Sequence, residues 1–267
     1  MAIQNTTASE VLVIGAGMVA HRFVDSLLSG ADAGRSVTVI GEEGHPPYDR
    51  VGLTSFFSGA TAEDLALDSA VLADERVTYL GDDPAVRIDR ESRTVSTVSG
   101  AVHSYESLVL ATGSSAPRVP VEGNDLPGCF VYRTLDDVTA LRTHVQERFA
   151  VLGRPLRGAV VGGGLLGLEA AGALQGMGVE CTVIQSADRL MSAQLDDAGG
   201  RMLQRLIEAP RVEVCTRSRT TGTASDDSGR VRPVDFAQGA VSYTHLPAHE
   251  TRRNLVFRLL PGKKTTP

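Results

Sequence analysis

One local pattern occurs twice in this chain and constrains its fold more than any other feature. In the first copy the apolar run Val11-Leu12-Val13-Ile14 enters Gly15-Ala16-Gly17-Met18-Val19-Ala20. In the second, Ala159-Val160-Val161 enters Gly162-Gly163-Gly164-Leu165-Leu166-Gly167. A short buried strand, a tight turn of the form G-x-G-x-x-G/A and a helix, in that order, make a dinucleotide-binding fingerprint. Gly15 permits the sharp turn, and Gly17 removes a side chain where a pyrophosphate approaches the backbone. Ala20 keeps the third position small, so that helix and strand pack closely. The helix N-terminus then presents N–H donors and a partial positive charge to the phosphates. Gly162, Gly164 and Gly167 repeat the three roles. One such loop is a weak signal. Two on one chain predict two bound dinucleotides and an α/β fold with two Rossmann-like parallel-sheet units.

The rest of the chain reads around those loops. Residues 18–28 form the first helix, with Val19, Phe23 and Leu27 on one face. Residues 37–40 are the second strand, and Glu42 just beyond it stands where a carboxylate accepts hydrogen bonds from ribose hydroxyls. Arg50 follows the stiff Pro46-Pro47 entry and supplies a fixed charge suited to a pyrophosphate oxygen or an aromatic face. Thr61-Ala62-Glu63-Asp64 has the form of a capping box. Short strands at 77–80, 86–88 and 94–98 suggest a small antiparallel crossover lying over the main sheet. A buried strand over 108–113 ends at Thr112-Gly113, a turn small enough for the backbone to pass close to a cofactor. Pro117, Pro120 and Pro127 mark a linker. Thr134 then caps a helix over 135–148, with Leu135, Val138, Leu141 and Val145 on one face.

In the second unit a helix is expected over 165–177 and a strand over 180–184, with Gln185 at the ribose position. An acid there selects the free 2′-hydroxyl of NAD, and a nearby arginine suits the 2′-phosphate of NADP. Gln185 does neither cleanly, and Arg189 is a loose candidate for the second role. A helix over 196–207 with Leu195, Met202, Leu203 and Leu206 at apolar positions, a strand over 212–214, a turn at 226–229 and a hairpin arm over 231–236 complete the reading.

Composition removes several classes of function. The first ten residues lack the basic and apolar regions of a secretory signal, and the longest apolar stretch, 159–174, is interrupted by Glu169 and too short to span a bilayer. A cytoplasmic protein with no membrane contact is expected. Cys129, Cys181 and Cys215 are widely spaced, with no C-x-x-C, and His21, His45, His103 and His144 form no metal spacing. Residues 1–240 carry 21 arginines, no lysine and 31 acids, a net charge of −10, which argues against nucleic acid as a partner. Residues 241–267 instead carry five basic residues and one acid, a net charge of +4. Val241-Ser242-Tyr243-Thr244-His245-Leu246-Pro247-Ala248-His249-Glu250-Thr251 resembles translated sequencing adaptor. Residues 241–267 are therefore set apart as a non-native tail, and the native chain is expected to continue differently from about residue 240.

The two glycine loops, the Ala111-Thr112-Gly113 turn and the order of elements resemble the two-dinucleotide flavoprotein reductases. More narrowly, three stretches resemble the large subunit of bacterial NAD(P)H-dependent nitrite reductase. They are Tyr48-Asp49-Arg50-Val51 with Leu53-Thr54-Ser55-Phe56-Phe57, then Phe130-Val131-Tyr132-Arg133-Thr134, then Gly162 through Leu174 with Gln194-Leu195-Asp196 downstream. The resemblance implies an FAD-binding domain whose first segment is 9–118, and an inserted NAD(P)H-binding domain at 119–240, the whole C-terminally truncated. It implies that Glu42 holds the FAD ribose and that Arg50, Thr112 and Gly113 contact the flavin nucleotide. It places Gly162, Gly164 and Gly167 on the NAD(P)H pyrophosphate and Glu169 near the nicotinamide. Gln185 departs from the family, where a glutamate is expected, and leaves NADH or NADPH open.

The implied activity is passage of electrons from NAD(P)H through FAD to a metal centre that reduces nitrite to ammonia. That acceptor, a sirohaem with an iron–sulfur cluster, lies beyond this stretch, as does a third FAD-contacting segment, and a small subunit is a further partner. Disulfide reductases of the superfamily keep a cysteine pair beside the flavin, whereas residues 1–128 contain no cysteine. Hydride transfer to a flavin rests on orientation more than on protonation, so no general acid or base is assigned. A stand-alone ferredoxin or rubredoxin reductase is the alternative with the same cofactors. A non-catalytic NAD(P)H-sensing flavoprotein, or an inactive fragment, is the alternative of another class.

Overall fold

The computed structural model describes residues 9–30, 34–116, 118, 120–209 and 212–222, and the backbone of 235–236 and 254–258. The chain forms two compact units, Met1–Leu53 with Ala60–Ser114, and Thr54–Gly59 with Ser115–Pro267. Among the described residues no helix is long and apolar enough to cross a membrane.

The first unit contains β1 (Ser9–Ile14), α1 (Met18–Ser29), β2 (Val37–Ile40), the short helices α2 (Ala62–Leu65) and α3 (Ala70–Ala73), β3 (Val77–Leu80), β4 (Ala85–Asp89), β5 (Thr94–Thr97) and β6 (Val102–Leu110). The sheet runs β3-β2-β1-β6-β5-β4. Its central strand, β1, is continuously apolar over residues 11–14, because both faces are covered there. Val11 and Val13 pack with Ala20 and Val24 of α1, whereas Leu12 and Ile14 pack with Ile40 and Val95. Helix α1 therefore turns Ala20 and Val24 inward, with Phe23 and Leu27 partly buried. Val19, expected on that face, is 73% exposed, because the face is set by the small residue that must sit closest to the strand. The expected capping box is present at α2, with Thr61 and Asp64 bonding each other's backbone N–H.

The antiparallel strands differ from the expectation in one respect. They do not merely lie over the main sheet but are hydrogen-bonded into it through β6. The start of β6 pairs antiparallel with β5, from Val102↔Ser96 to Ser104↔Thr94, and its remainder pairs parallel with β1, from Tyr105↔Ser9 to Leu110↔Ile14. The strand is nine residues long, and its polar first half gave no apolar run to read.

The second unit contains β7 (Cys129–Val131), α4 (Leu135–Leu152), β8 (Arg157–Val161), α5 (Leu165–Gly176), β9 (Glu180–Ile184), α6 (Asp197–Glu208), β10 (Glu213–Cys215), β11 (Thr220–Gly222), β12 (Asp235–Phe236) and β13 (Asn254–Arg258). A parallel sheet runs β10-β9-β8-β13-β7. The backbone of β13, from the segment set apart by its sequence, pairs with β7 and β8. A ladder bonds backbone to backbone whatever the side chains, so this pairing is neutral as to the segment's origin. Helix α4 buries all four of its expected residues, Leu135, Val138, Leu141 and Val145. Helix α6 does not follow its expected face: Met202 is 60% and Leu206 63% exposed, and Gly200 is the buried residue. A Cβ on Gly200 would lie 2.9 Å from Arg189 Cδ, so the helix approaches through its glycine. The turn expected at 226–229 lies outside the described residues, as does most of the arm expected over 231–236.

A 3-10 helix, Val51–Ser58, was not legible as such, and its second half belongs to the second unit. There Phe56 lies under the Arg142 guanidinium at 3.8 Å, Phe57 stacks on Tyr132 with centroids 6.0 Å apart, and the Thr54 and Tyr132 hydroxyls are 3.0 Å apart.

Candidate functional site

In the first unit the predicted residues gather at the carboxyl ends of β1, β2 and β6. Gly15 turns the chain at φ +107°, and its N–H donates to Ile40 O at 2.8 Å. A Cβ at Gly15 would lie 2.1 Å from Ala111 O and 3.0 Å from Thr112 N, so the glycine loop and the 111–113 turn touch backbone to backbone. Thr112 and Gly113 are exposed beside it. A Cβ on Gly41 would lie 2.9 Å from the Ala16 side chain, which brings the end of β2 against the same loop. Glu42 follows, exposed, with no hydrogen bond or ion pair to its carboxylate among the described residues.

Gly17 behaves oppositely to Gly15. It begins α1 in extended backbone with no side-chain cap, and a Cβ there would meet nothing within 4 Å. Side chains cap α2, α4 and α6, from Thr61, Thr134 and Asp196. The leading N–H groups of α1 have no such side-chain partner among the described residues, and the helix opens at Gly17 onto space, the arrangement that suits an anion.

Arg50 is held by neighbours that sequence reasoning missed. Its Nη2 donates to Glu43 Oε1, Tyr48 Oη donates to Glu43 Oε2 at 2.6 Å, and the guanidinium lies 4.9 Å from the centre of the Tyr48 ring. Glu43 thus serves the arginine, while the adjacent Glu42 stands apart. Two adjacent acids gave no sequence signal for this division.

The second loop repeats the geometry. Gly162 turns at φ +116°, and its N–H donates to Ile184 O at 2.7 Å. A Cβ on Gly167 would lie 1.9 Å from Gly162 O, so α5 sits directly on the turn. Gly164 begins α5 with no side-chain cap and open space where a Cβ would go. Gln185 reaches back to this loop: its Oε1 accepts from Gly163 N–H at 3.0 Å, and its Nε2 donates to Arg189 O at 3.3 Å.

Glu169 lies further along α5, partly buried, with no hydrogen-bond or ionic partner among the described residues. Burial pushes its carboxyl above the ordinary range. The Tyr132 phenol is raised by its own burial, with a further contribution from the Glu169 charge, against the lowering hydrogen bond from Thr54. A partly buried carboxyl with no cation to compensate it favours a neutral, amide-like or hydroxyl partner over a second anion. The Thr54–Tyr132 arm of this cluster was missed, because its members stand 78 positions apart.

Cys129, Cys181 and Cys215 form no disulfide. Burial pushes the Cys181 thiol up to about 12, and the nucleophile in thiol chemistry is the thiolate. At pH 8 Cys181 therefore stays protonated and enclosed. A thiol-specific aromatic disulfide reagent should leave it unlabelled in the native protein and modify it after denaturation, as read by mass spectrometry. Labelling of native Cys181 within minutes would contradict this packing.

Residues 9–245 match the family model described as pyridine nucleotide-disulphide oxidoreductase. The NADH nitrite reductase large subunit of Escherichia coli (strain K12) is 40% identical over 230 residues, covering 85% of this chain and 26% of that protein. The NAD(P)H nitrite reductase of Bacillus subtilis (strain 168) is 33% identical over 233 residues, covering 86% of this chain and 28% of that one. The chain thus spans about a quarter of the length of these curated relatives. Among solved structures, a ferredoxin reductase from Rhodopseudomonas palustris superposes with a TM-score of 0.79 at 26% identity, covering 94% of this chain and 59% of that one.

Proposed function

Because the chain belongs to the pyridine nucleotide-disulphide oxidoreductase family, we propose that it is the electron-entry module of an NAD(P)H-dependent flavoprotein reductase, with nitrite reduction to ammonia as the parent reaction. One observation carries the reading. The two helices that follow glycine loops, α1 and α5, begin uncapped and open at Gly17 and Gly164, while α2, α4 and α6 are closed by side-chain caps and Asp68 Oδ1 accepts from the Ala70 N–H that starts the four-residue α3. Such helix ends take pyrophosphates, and the residues around them fit one nucleotide each.

Residues 9–118 would hold FAD and 119–240 NAD(P)H. Gly15, Gly17 and Ala20 give the FAD pyrophosphate its approach to α1, Glu42 accepts from the ribose, and Thr112 and Gly113 pass close to the nucleotide. Glu43 and Tyr48 fix the direction of Arg50. Gly162, Gly164 and Gly167 do the same for the NAD(P)H pyrophosphate, Gln185 meets its ribose, and Glu169 with Tyr132 lines the nicotinamide end. FAD, when bound, supplies a centre that takes up two electrons together and releases them one at a time. The absence of cysteine from residues 1–128 favours an acceptor other than an internal disulfide. Sirohaem, an iron–sulfur cluster and a small subunit belong to the longer relatives' part of this proposal, as does a cytoplasmic setting.

The test is titration of the full chain with FAD. Quenching of flavin fluorescence is expected, together with FAD-dependent oxidation of NADH or NADPH when ferricyanide is the acceptor. Absence of both, here and in a chain extended to the length of a complete flavin domain, would overturn the proposal. The likeness to a ferredoxin reductase supports a second reading, a separate ferredoxin as acceptor. Rapid reduction of added ferredoxin, at a rate near that with ferricyanide, would select it.

A further inference from the structure

The loop after β9 contains a closed ionic arrangement that the pyrophosphate site does not require. The Arg189 guanidinium turns back into its own loop: Nε donates to Leu195 O at 3.0 Å and Nη2 to Ser192 O at 3.4 Å. Nη1 lies 3.0 Å from Asp188 Oδ1 and 3.0 Å from Asp197 Oδ1. All three nitrogens are thereby committed. The stem is held as well, since Gly200 of α6 approaches it closely enough that a Cβ would reach 2.9 Å from Arg189 Cδ.

This loop is tied to the nucleotide loop. The Gln185 side chain bonds Gly163 N–H at one end and the Arg189 carbonyl at the other. The arginine therefore stands within the turn that a 2′-phosphate would meet at the end of the second strand of such a unit. Its charge is matched by two carboxylates, which are largely solvent-exposed, at 49% and 69% of their side-chain surface. The group Asp188–Arg189–Asp197 thus carries net negative charge. Asp196 next to it accepts from Gly199 N–H as the cap of α6 and adds another. Arg217 is a further cation tied to this loop: its backbone N–H donates to Ala187 O at 2.8 Å, and the residue is exposed.

We infer that this loop selects NADH over NADPH by charge, through the Asp188–Arg189–Asp197 triad, and not by an acid on the ribose. The inference rests on the reading that the Gly162–Gly167 loop binds NAD(P)H. The triad withholds the cation of the loop from a 2′-phosphate and confronts that phosphate with unbalanced carboxylates. Gln185, being neutral, contributes no preference of its own.

The test is calorimetric titration of the full chain with NADH and, separately, with NADPH. Carboxylates a few ångströms from a phosphate across solvent should weaken NADPH about tenfold relative to NADH at low salt. Raising the ionic strength from about 0.05 M to about 0.5 M shortens the screening length and should narrow that ratio to about threefold or less. The double substitution Asp188→Asn with Asp197→Asn releases Arg189 and removes two charges. It should tighten NADPH by about tenfold while NADH changes by far less. Adding Arg189→Ala to that pair should abolish the gain. Equal binding of the two cofactors by the parent chain, or a ratio that salt does not move, overturns the inference while leaving the nucleotide site intact. So does NADPH binding that is lost on Arg217→Ala. Binding of neither cofactor overturns the reading of the site itself, and the inference with it.

Discussion

Gly15→Ala and Gly167→Ala should each destabilise the chain severely, for reasons visible in the backbone. At Gly15 two costs combine. Its φ of +107° is a region that L residues avoid, and a Cβ would stand 2.1 Å from Ala111 O, far inside van der Waals contact. Strain of this kind costs about 1–3 kcal/mol, and forced overpacking about 1–3 kcal/mol more. At Gly167 the backbone is an ordinary helix, but the Cβ would lie 1.9 Å from Gly162 O, so α5 must move off its turn or the turn must open. Neither obstacle is the tip of a flexible side chain, and both offending atoms are carbonyl oxygens in rigid turns. A domain is stable by only about 5–15 kcal/mol in all, so each substitution should remove a large share. The expected result is a fall in the urea midpoint, or in Tm by about 5–15 °C for a chain of this size. A Tm within about 2 °C of the parent would mean that the strand–turn–helix contacts are softer than described.

That expectation also marks how far the sequence could be read. The roles of Gly15, Gly162 and Gly167 follow from spacing alone, because close packing of a turn on a helix has few solutions. The parallel strands were legible for a related reason: Leu12 and Ile14 face one layer while Val11 and Val13 face the other, and both must be apolar. Helix α4 was legible down to its buried residues. What failed were features set by a neighbour distant in the chain. Helix α6 shows Met202 and Leu206 to solvent because Gly200 alone lets it approach the Arg189 stem. The division of labour at Glu42 and Glu43 depends on where Tyr48 and Arg50 stand. Gln185 was readable as a departure from an acid, but its bonds to Gly163 and to the Arg189 carbonyl were not. Periodicity reports which face is apolar on average, and it carries no information on which of two polar neighbours is already engaged.

The second large effect separates the two nucleotides, and it uses the glycines that have room. Gly17 and Gly164 both adopt extended backbone with φ near −85°, which alanine accepts, and neither Cβ would touch protein within 4 Å. Gly17→Ala and Gly164→Ala should therefore fold as well as the parent, or gain up to about 1 kcal/mol from a stiffer unfolded chain. The methyl group instead occupies the opening onto the uncapped helix, where a pyrophosphate oxygen would bond the first N–H groups. Displacing an anion from such donors forfeits charge-assisted hydrogen bonds worth about 1.5–3 kcal/mol, which is about ten- to a hundredfold in affinity. Gly17→Ala should then lose flavin binding while still binding NADH in calorimetry. Gly164→Ala should bind FAD with unchanged quenching and lose NADH. In ferricyanide assays both should be nearly inactive, but excess FAD should rescue only the first and excess NADH only the second. If both variants lost both ligands, the two loops would form a single site, and the assignment of one nucleotide to each unit would be wrong. If both kept both, the open helix ends would not be where the pyrophosphates lie. The expected crossed pattern is the one outcome that an unfolded or nonspecifically weakened protein cannot imitate, because each variant is then the folding control for the other.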